Sequence, residues 1–356
     1  MIRWLRWVWL AFLVSVPWWL DNAYYLHVLI MTGIFTTAAM SLNLLLGYTG
    51  QLSLGHVAFF GIGAYTSALV SLGFDLQLVG GRTLVVDPRS TWIAFLCGIV
   101  VAGFFGWVIG KLSFRVRGAY FVIVTISFAE VTRLVALNWL DLTQGPMALS
   151  AIPPFTVSIP GVWEQTFYQK VPNYYIVLAI AVLSYLIIRR LVNSRIGRAM
   201  IALRENESLA TSVGVDVTRY LVLAAVVAAG VAGAAGGLYA HYVRIVDPDI
   251  FLFIYTVTMV IMVITGGKGT LAGPVVGGLI FGILPEILRE LAGPEVQWII
   301  YGALMIAIVY FLPQGIVPAL GAWWQDRFGA PSAEAELALR RRSSNDESPA
   351  SRRATE

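Results

Sequence analysis

The chain has 356 residues, of which 58% are hydrophobic and only 12% are charged. Soluble domains carry about 25% charged residues, so this composition excludes an ordinary soluble domain and predicts an all-α protein that crosses a membrane many times. The net charge of +4 is too small to indicate a nucleic-acid partner, and the single cysteine, Cys97, excludes an intramolecular disulfide.

Apolar segments follow one another along most of the chain and predict about ten membrane spans in a tightly packed bundle. Small residues at four-residue spacing, such as Ala229, Gly233 and Gly237, also predict that helices approach each other closely. With a cytoplasmic amino terminus, basic residues outnumber acidic ones in the inner loops but not in the outer loops, so we expect both termini in the cytoplasm. The predicted spans are residues 4–20, 24–46, 52–72, 92–110, 118–138, 174–188, 220–242, 251–265, 271–288 and 296–311.

A break in this pattern follows the second span, where glycine and polar residues form the sequence GYTGQLSLGH at 47–56. Non-helical backbone is tolerated at membrane depth only where it is buried in protein or lines water. The segment therefore fits either a broken helix along a transport pathway or a cytoplasmic turn that precedes a packing face. The candidate pathway residues in and beside it are Asn43, Gly47, Gly50, Gln51, Ser53 and His56.

A glycine pattern, G-x-x-G-x-L, occurs at residues 47–52 and again at residues 266–271. Both copies join two predicted spans on the cytoplasmic side, and such an echo favours a repeat of two halves in the same direction. A chance match between two glycine-rich turns is the alternative.

Two charged residues lie inside the fifth predicted span. Glu130 and Arg133 are one helical turn apart, so their side chains can form an ion pair. Charged residues at membrane depth are costly and commonly functional. The pair therefore fits either a structural contact or part of the lining of a pathway for a polar, zwitterionic cargo.

Residues 189–219 form a polar interruption with six arginines, Glu205, Glu207 and Asp216. That much charge must face water. Good helix formers at 198–210 and a helix stop at Gly214 predict one short amphipathic helix that a cytoplasmic partner grips, with a solvated loop as the alternative. The candidate coupling residues are Arg198, Arg204, Glu205, Asn206, Glu207, Ala210 and Gly214.

The domain division follows from these features. Residues 1–320 are predicted to form one transmembrane domain with a coupling loop at 193–216, and residues 321–356 a disordered cytoplasmic tail. The longest outer loop, residues 141–172, is expected to hold a short surface helix at 163–169. The sequence contains no nucleotide-binding P-loop, no nucleophile motif and no metal-ligand spacing, so we expect no enzyme activity, no metal and no cofactor on this chain.

Several segments resemble the LivM-type permease subunits of the branched-chain amino acid ABC importers. They are SLNLLLGYTGQLSLGHVAFFGIGAY at 41–65, RGAYFVIVTISFAEVTRLVALNW at 117–139, SRIGRAMIALRENESLATSVGV at 194–215, GGKGTLAGPVVGGLIFG at 266–282 and FLPQGIVP at 311–318. The resemblance covers residues 38–318. It implies a multi-pass permease of the bacterial cytoplasmic (inner) membrane that moves branched-chain amino acids by alternating access.

The resemblance also implies partners: a LivH-type second permease, two cytoplasmic ATPase subunits that bind the ATP, and a periplasmic substrate-binding protein. ABC importer permeases dock their ATPases through a loop with an E-A-A-x-x-x-G core. Here Ala210 and Gly214 match that core, whereas Ser208 and Leu209 replace its E-A pair. The docking acid therefore stays open, with Glu205 and Glu207 just upstream.

Other functions stay open at this point. A urea or amide ABC importer subunit is close in pattern. A stand-alone secondary transporter would need a relay of ionisable groups inside the membrane, but only Glu130 and Arg133 are evident. A membrane enzyme would need a nucleophile or a metal cluster, and the sequence lacks both.

Overall fold

A computed structural model describes residues 2–20, 22–78, 82–114, 118–159, 163–289 and 294–328. Most of these residues are helical, and a helix lies at every predicted span position. The helices are α1 (Ile2–Trp19), α2 (Ala23–Asn43), α3 (Val57–Leu72), α4 (Thr91–Ser113), α5 (Ala119–Asn138), α6 (Leu140–Thr143), α7 (Lys170–Val192), α8 (Arg195–Glu205), α9 (Glu207–Ser212), α10 (Val217–Val243), α11 (Phe253–Gly266), α12 (Gly273–Arg289), α13 (Pro294–Phe311) and α14 (Ile316–Phe328).

Five helices within the described ranges are long and apolar enough to cross a membrane. They are α2 with the turn that follows it, α4, α5, α7 and α10. The chain is therefore a helical membrane protein, while the count of about ten spans stays a prediction.

The centre of the bundle is α10, which packs along α3 and α4. Small residues permit this contact. A Cβ atom built on Gly236 would lie 1.8 Å from the carbonyl oxygen of Phe60, and one built on Gly233 would lie 2.5 Å from Cβ of Ala102. Larger side chains would force the helices apart, so the predicted close packing of α10 is confirmed.

Two helices, α3 and α11, are shorter than a span and follow irregular backbone. After α2 the chain makes a π-helical turn, Leu44–Thr49, and runs through residues 50–56 before α3 begins at Val57. The third predicted span starts near residue 52, whereas α3 starts at Val57; Gly50 takes a left-handed conformation (φ 74°) that ends the π-helical turn before it. A 3-10 turn, Pro248–Phe251, similarly precedes α11.

Two short antiparallel hairpins lie between helices. Strands β1 (Phe74–Leu78) and β2 (Arg82–Val86) follow α3, and β3 (Thr156–Ile159) and β4 (Trp163–Thr166) precede α7. The predicted surface helix at residues 163–169 is therefore wrong. Residues 163–166 instead pair with β3 as strand β4. A strand partner satisfies backbone N–H and C=O groups that so short an isolated helix would leave without hydrogen bonds.

The last described helix crosses the predicted domain boundary. Because α14 runs to Phe328, the predicted tail does not begin as irregular chain at residue 321. The sequence IVPALGAWWQDRF keeps apolar residues as far as Trp324, which favours a continued helix. The rest of the predicted tail, residues 329–356, lies outside the described residues.

Candidate coupling junction and translocation pathway

The coupling segment begins with α8, whose sequence specifies both its start and its buried face. The hydroxyl of Ser194 caps the helix by accepting hydrogen bonds from the N–H groups of Ile196 at 3.1 Å and Gly197 at 3.4 Å. Met200 is fully buried in a cluster that includes Met40 and Leu44, near the carboxyl end of α2. The buried face of α8 has three-residue spacing and consists of Gly197, Met200 and Leu203.

A second short helix, α9, replaces the predicted single helix over residues 198–210. Asn206 is extended (φ −156°, ψ 103°), and its side-chain oxygen accepts a hydrogen bond from the N–H of Leu209 at 2.9 Å. The expectation of one continuous helix is wrong because this asparagine caps a new helix and so competes with extension of the old one. Gly214, with φ 89°, ends the segment as predicted.

Arg204 points back toward the bundle. Its guanidinium donates a hydrogen bond to the backbone carbonyl of Gly47 and forms an ion pair with the carboxylate of Glu205. Its aliphatic part packs against Gly50, where an added Cβ would lie 3.0 Å from Cγ of Arg204. One coupling candidate and two pathway candidates are thus in direct contact.

Asn43, which lies just before the first glycine pattern, is hydrogen-bonded to the second one. Its amide nitrogen donates a hydrogen bond to the carbonyl of Thr270 at 2.9 Å, and its oxygen accepts one from the N–H of Gly269 at 2.9 Å. A Cβ on Gly47 would lie 2.3 Å from the nitrogen of Gly269, so glycine is required by this approach. We name Asn43, Gly47, Arg204, Gly269 and Thr270 the junction. The two-half repeat itself stays a prediction.

The second part of the irregular segment of residues 50–56 is buried, at Ser53, Gly55 and His56, whereas Gly50 is exposed. Nε2 of His56 lies 2.7 Å from the hydroxyl of Ser41, within hydrogen-bond distance. A Cβ on Gly55 would lie 1.7 Å from the carbonyl oxygen of Thr125 in α5. Oγ of Ser53 and Nδ1 of His56 are buried and make no hydrogen bond to any described residue, and Gln51 is half-buried. Buried polar atoms are normally paired, so this segment holds unused hydrogen-bonding capacity.

The predicted pair between Glu130 and Arg133 is confirmed and has a third member. Nη1 of Arg133 lies 3.2 Å from Oε1 of Glu130, and Nη2 lies 3.2 Å from Oδ1 of Asp249. The side chains of Arg133, Glu130 and Asp249 are 24%, 54% and 63% exposed. We name these residues the charged triad. Asp249 was missed from the sequence because it is distant in the chain and lies outside any span pattern.

The remaining coupling candidates differ in their exposure to solvent. Arg198, Glu205 and Asn206 are exposed, whereas Ala210 is buried and Glu207 opens α9. Leu209 and Val213, which are exposed and four residues apart, were missed. Their signal was an apolar pair at helical spacing inside a polar segment. Among the described residues, no group of three or more His, Cys, Asp or Glu side chains could hold a metal.

The chain is similar in sequence to several known permease proteins. The chain is 30% identical to the branched-chain amino acid permease LivM of Salmonella typhimurium over 306 residues, covering 81% of this chain and 68% of the relative. It is 29% identical to LivM of Escherichia coli, covering 85% and 72%. It is also 27% identical to the permease LivH of Escherichia coli, covering 80% and 91%.

No solved structure matches the chain. The sequence model of the family described as "Branched-chain amino acid transport system / permease component" matches residues 24–309. That match spans most of the transmembrane helices and includes both the junction and the charged triad. The chain therefore belongs to the family of permease components of branched-chain amino acid transport systems.

Proposed function

We propose that this chain is the permease subunit of an ATP-driven importer for branched-chain amino acids and that the junction transmits the motion of separate ATPase subunits. The family match and the names of the relatives support the transport function and its substrate class. The observation that carries the coupling role is the hydrogen bond from Arg204 to the carbonyl of Gly47. It joins the exposed segment α8–α9 to the broken end of α2.

Movement of α8 would reach two parts of the bundle through this junction. Arg204 holds Gly47 at the end of α2, and Asn43 holds Gly269 and Thr270 between α11 and α12. A partner that pulls on α8 and α9 would therefore displace the ends of α2, α11 and α12 together. Such displacement is a plausible physical basis for alternating access around a site within the bundle.

The pathway is proposed to run beside the irregular segment of residues 50–56. Ser53 and His56 are buried there with hydrogen-bonding atoms that no described residue satisfies. Asn43, Gly47 and Gly50 would act at the junction end of the same pathway, and Gln51 would lie between. Glu130 and Arg133 would line it further along α5.

The proposed assembly contains four other subunits besides this chain. They are a second permease like LivH, two cytoplasmic ATPases that bind the nucleotide, and a periplasmic protein that captures the cargo. Similarity to both LivM and LivH is compatible with a pair of related permeases. The location would be the bacterial cytoplasmic membrane, with both termini inside and no cofactor on this chain.

Reconstitution into proteoliposomes tests this proposal. Liposomes that contain the chain, the second permease and the ATPases, with binding protein outside and ATP inside, are expected to accumulate labelled leucine. Liposomes that contain the chain alone are expected to accumulate none. ATP-dependent accumulation of urea in place of leucine would contradict the substrate class, and concentrative uptake by the chain alone would contradict the mechanism.

A further inference from the structure

The charged triad lies where an exposed charge is least compatible with lipid. At a rise of about 1.5 Å per residue, Glu130 lies roughly 16 Å along α5 from Ala119, close to the middle of this 20-residue helix. α5 is a candidate membrane span, and most of its exposed side chains are apolar, such as Ile123 and Leu134, with Ser127 and Asn138 exposed as well. Charged side chains at such depth face a bundle interior or a water-filled cavity.

The net charge of the charged triad makes contact with lipid still less favourable. Two carboxylates share one guanidinium, each at 3.2 Å, so the triad carries one excess negative charge. Both carboxylates are more than half exposed, so neither is fully occupied by Arg133. In an assembled transporter, this edge of α5 must therefore border water or another subunit.

Other features of a solute site lie at the same level of the bundle. Val57 and Ala58, where α3 begins, pack in one buried cluster with Ala129 of α5. The N–H of Val57 donates to Oγ1 of Thr256 at 3.2 Å, so α3 and α11 both begin here. Amino-terminal helix ends carry partial positive charge and attract carboxylates in broken-helix transporters.

A side chain of α3 with a buried polar group that no described residue satisfies packs against the loop that carries Asp249. The ring of Tyr65 stacks on Phe251 with centroids 5.6 Å apart. The Tyr65 hydroxyl is buried and makes no hydrogen bond to any described residue. The turn Pro248–Phe251 thus carries one member of the charged triad and packs against the ring whose hydroxyl is unused.

We propose that Glu130, Arg133 and Asp249 form a contact site for the zwitterionic backbone of an amino acid in passage. The cargo carboxylate takes one place on Arg133, and the carboxylate that it displaces pairs with the cargo ammonium. Each charge keeps a partner through this exchange, and the net charge of the site does not change. A neutral solute such as urea cannot make the exchange. This inference rests on the proposed function, and it identifies the charged residues that select the cargo.

Transport by the reconstituted assembly tests the site. Arg133→Gln, and the double variant Glu130→Gln with Asp249→Asn, are expected to lower leucine uptake about tenfold or more, because each removes a charge-assisted contact. Arg133→Lys should retain more uptake than Arg133→Gln. Asp141→Asn, at an exposed carboxylate beyond the end of α5, is the matched control and should transport normally. Uptake by the triad variants equal to that of the control would overturn the proposal.

A labelling measurement keeps the test independent of folding defects in those variants. In a Cys97→Ser background, Glu130→Cys in the assembled complex should react with a charged, membrane-impermeant thiol reagent. Loaded binding protein with ATP should slow the reaction severalfold. Val100→Cys, on an exposed apolar position of α4, should not react. A Glu130→Cys thiol that behaves like Val100→Cys, or that leucine does not protect, contradicts the site.

The two proposals fail in different ways. If the unmodified assembly takes up no leucine, the proposed function is wrong. If it takes up leucine and the triad variants do so equally well, only the contact site is wrong.

Discussion

Arg204 joins the polar segment to the transmembrane bundle through a hydrogen bond, beside the apolar contact that Met200 makes. Its guanidinium donates a hydrogen bond to the backbone carbonyl of Gly47, and Gly50 and Gly269 leave the space that the side chain occupies. The hydrogen bond is charge-assisted on the donor side, which makes it stronger than a neutral one. The same guanidinium is held by Glu205, so its direction is fixed from two sides.

Replacing Arg204 should therefore uncouple the two parts of the protein. Arg204→Gln is expected to lower leucine accumulation about tenfold, because loss of a hydrogen bond from a charged group costs roughly 1.5–3 kcal/mol. The measurement is leucine transported per ATP hydrolysed in proteoliposomes. Arg195→Gln removes the same charge from an exposed position at the start of α8 and serves as the control. Equal losses in both variants would show that charge, and not the junction, matters.

Residue roles could be predicted only where the partner is close in the sequence. The Glu130–Arg133 pair follows from helical spacing, and Gly214 follows from its position after a helix. Asn43 could be singled out as polar, but its bonds to Gly269 and Thr270 depend on how α2 meets the loop before α12. Asp249 joins Arg133 for the same reason, since only the packing of the turn Pro248–Phe251 against α5 brings them together.

At the scale of elements, α9 exposes a different kind of surface from α8. α8 turns its apolar residues inward, whereas α9 exposes Leu209 and Val213 one helical turn apart and buries Ala210. An exposed apolar pair on a short helix is suited to a groove on another protein. The break at Asn206 allows the two helices to face different neighbours.

Charge placed on that apolar pair should prevent assembly with the ATPase subunits. Leu209→Asp with Val213→Asp is expected to abolish co-purification of the ATPases, because a carboxylate buried at an interface without a partner is strongly unfavourable. Thr218→Asp, at an exposed position in the first turn of α10, is the control and should leave assembly intact. Normal recovery of ATPases with the double variant would contradict docking through α9.

The sequence predicted helices better than it predicted breaks and hairpins. Lipid-spanning helices depend on local apolar composition, so their positions were found along the whole described chain. The start of α3 at Val57 depends on contacts such as Gly55 against Thr125, which no local pattern contains. Before Trp163 the signs of a hairpin were present, because the β-branched residues Thr156, Val157 and Ile159 precede Pro160 and Gly161, but the sequence analysis favoured a surface helix.

At the scale of the whole molecule, short and long helices have different places. The long α10 lies at the centre and packs along the short α3, whereas the short α11 packs mainly against α12 and α2. The junction lies at the carboxyl end of α2, and Glu130 of the charged triad lies half-way along α5. Residues 50–56 connect the two regions, since Gly50 contacts Arg204 and Gly55 lies against Thr125 of α5.

The orientation of the whole bundle can be tested with single cysteines. In a Cys97→Ser background, Asp87→Cys and Arg198→Cys both place a thiol at an exposed position. In intact cells with a permeable outer membrane, an impermeant thiol reagent should label Asp87→Cys only, because positive-inside asymmetry puts Arg198 in the cytoplasm. Both thiols should react after the membrane is disrupted. The reverse pattern in intact cells would invert the proposed topology.

The hydrogen bond between Asn43 and Gly269 has a consequence for how the protein is made. The two residues are separated by 226 positions, so most of the polypeptide must leave the ribosome before the bond can form. Until then the buried amide of Asn43 lacks both of its native partners, Gly269 and Thr270, and the helices that are inserted first lack this contact. The junction is therefore completed late in biogenesis, and a nascent chain released before Gly269 cannot complete it at all.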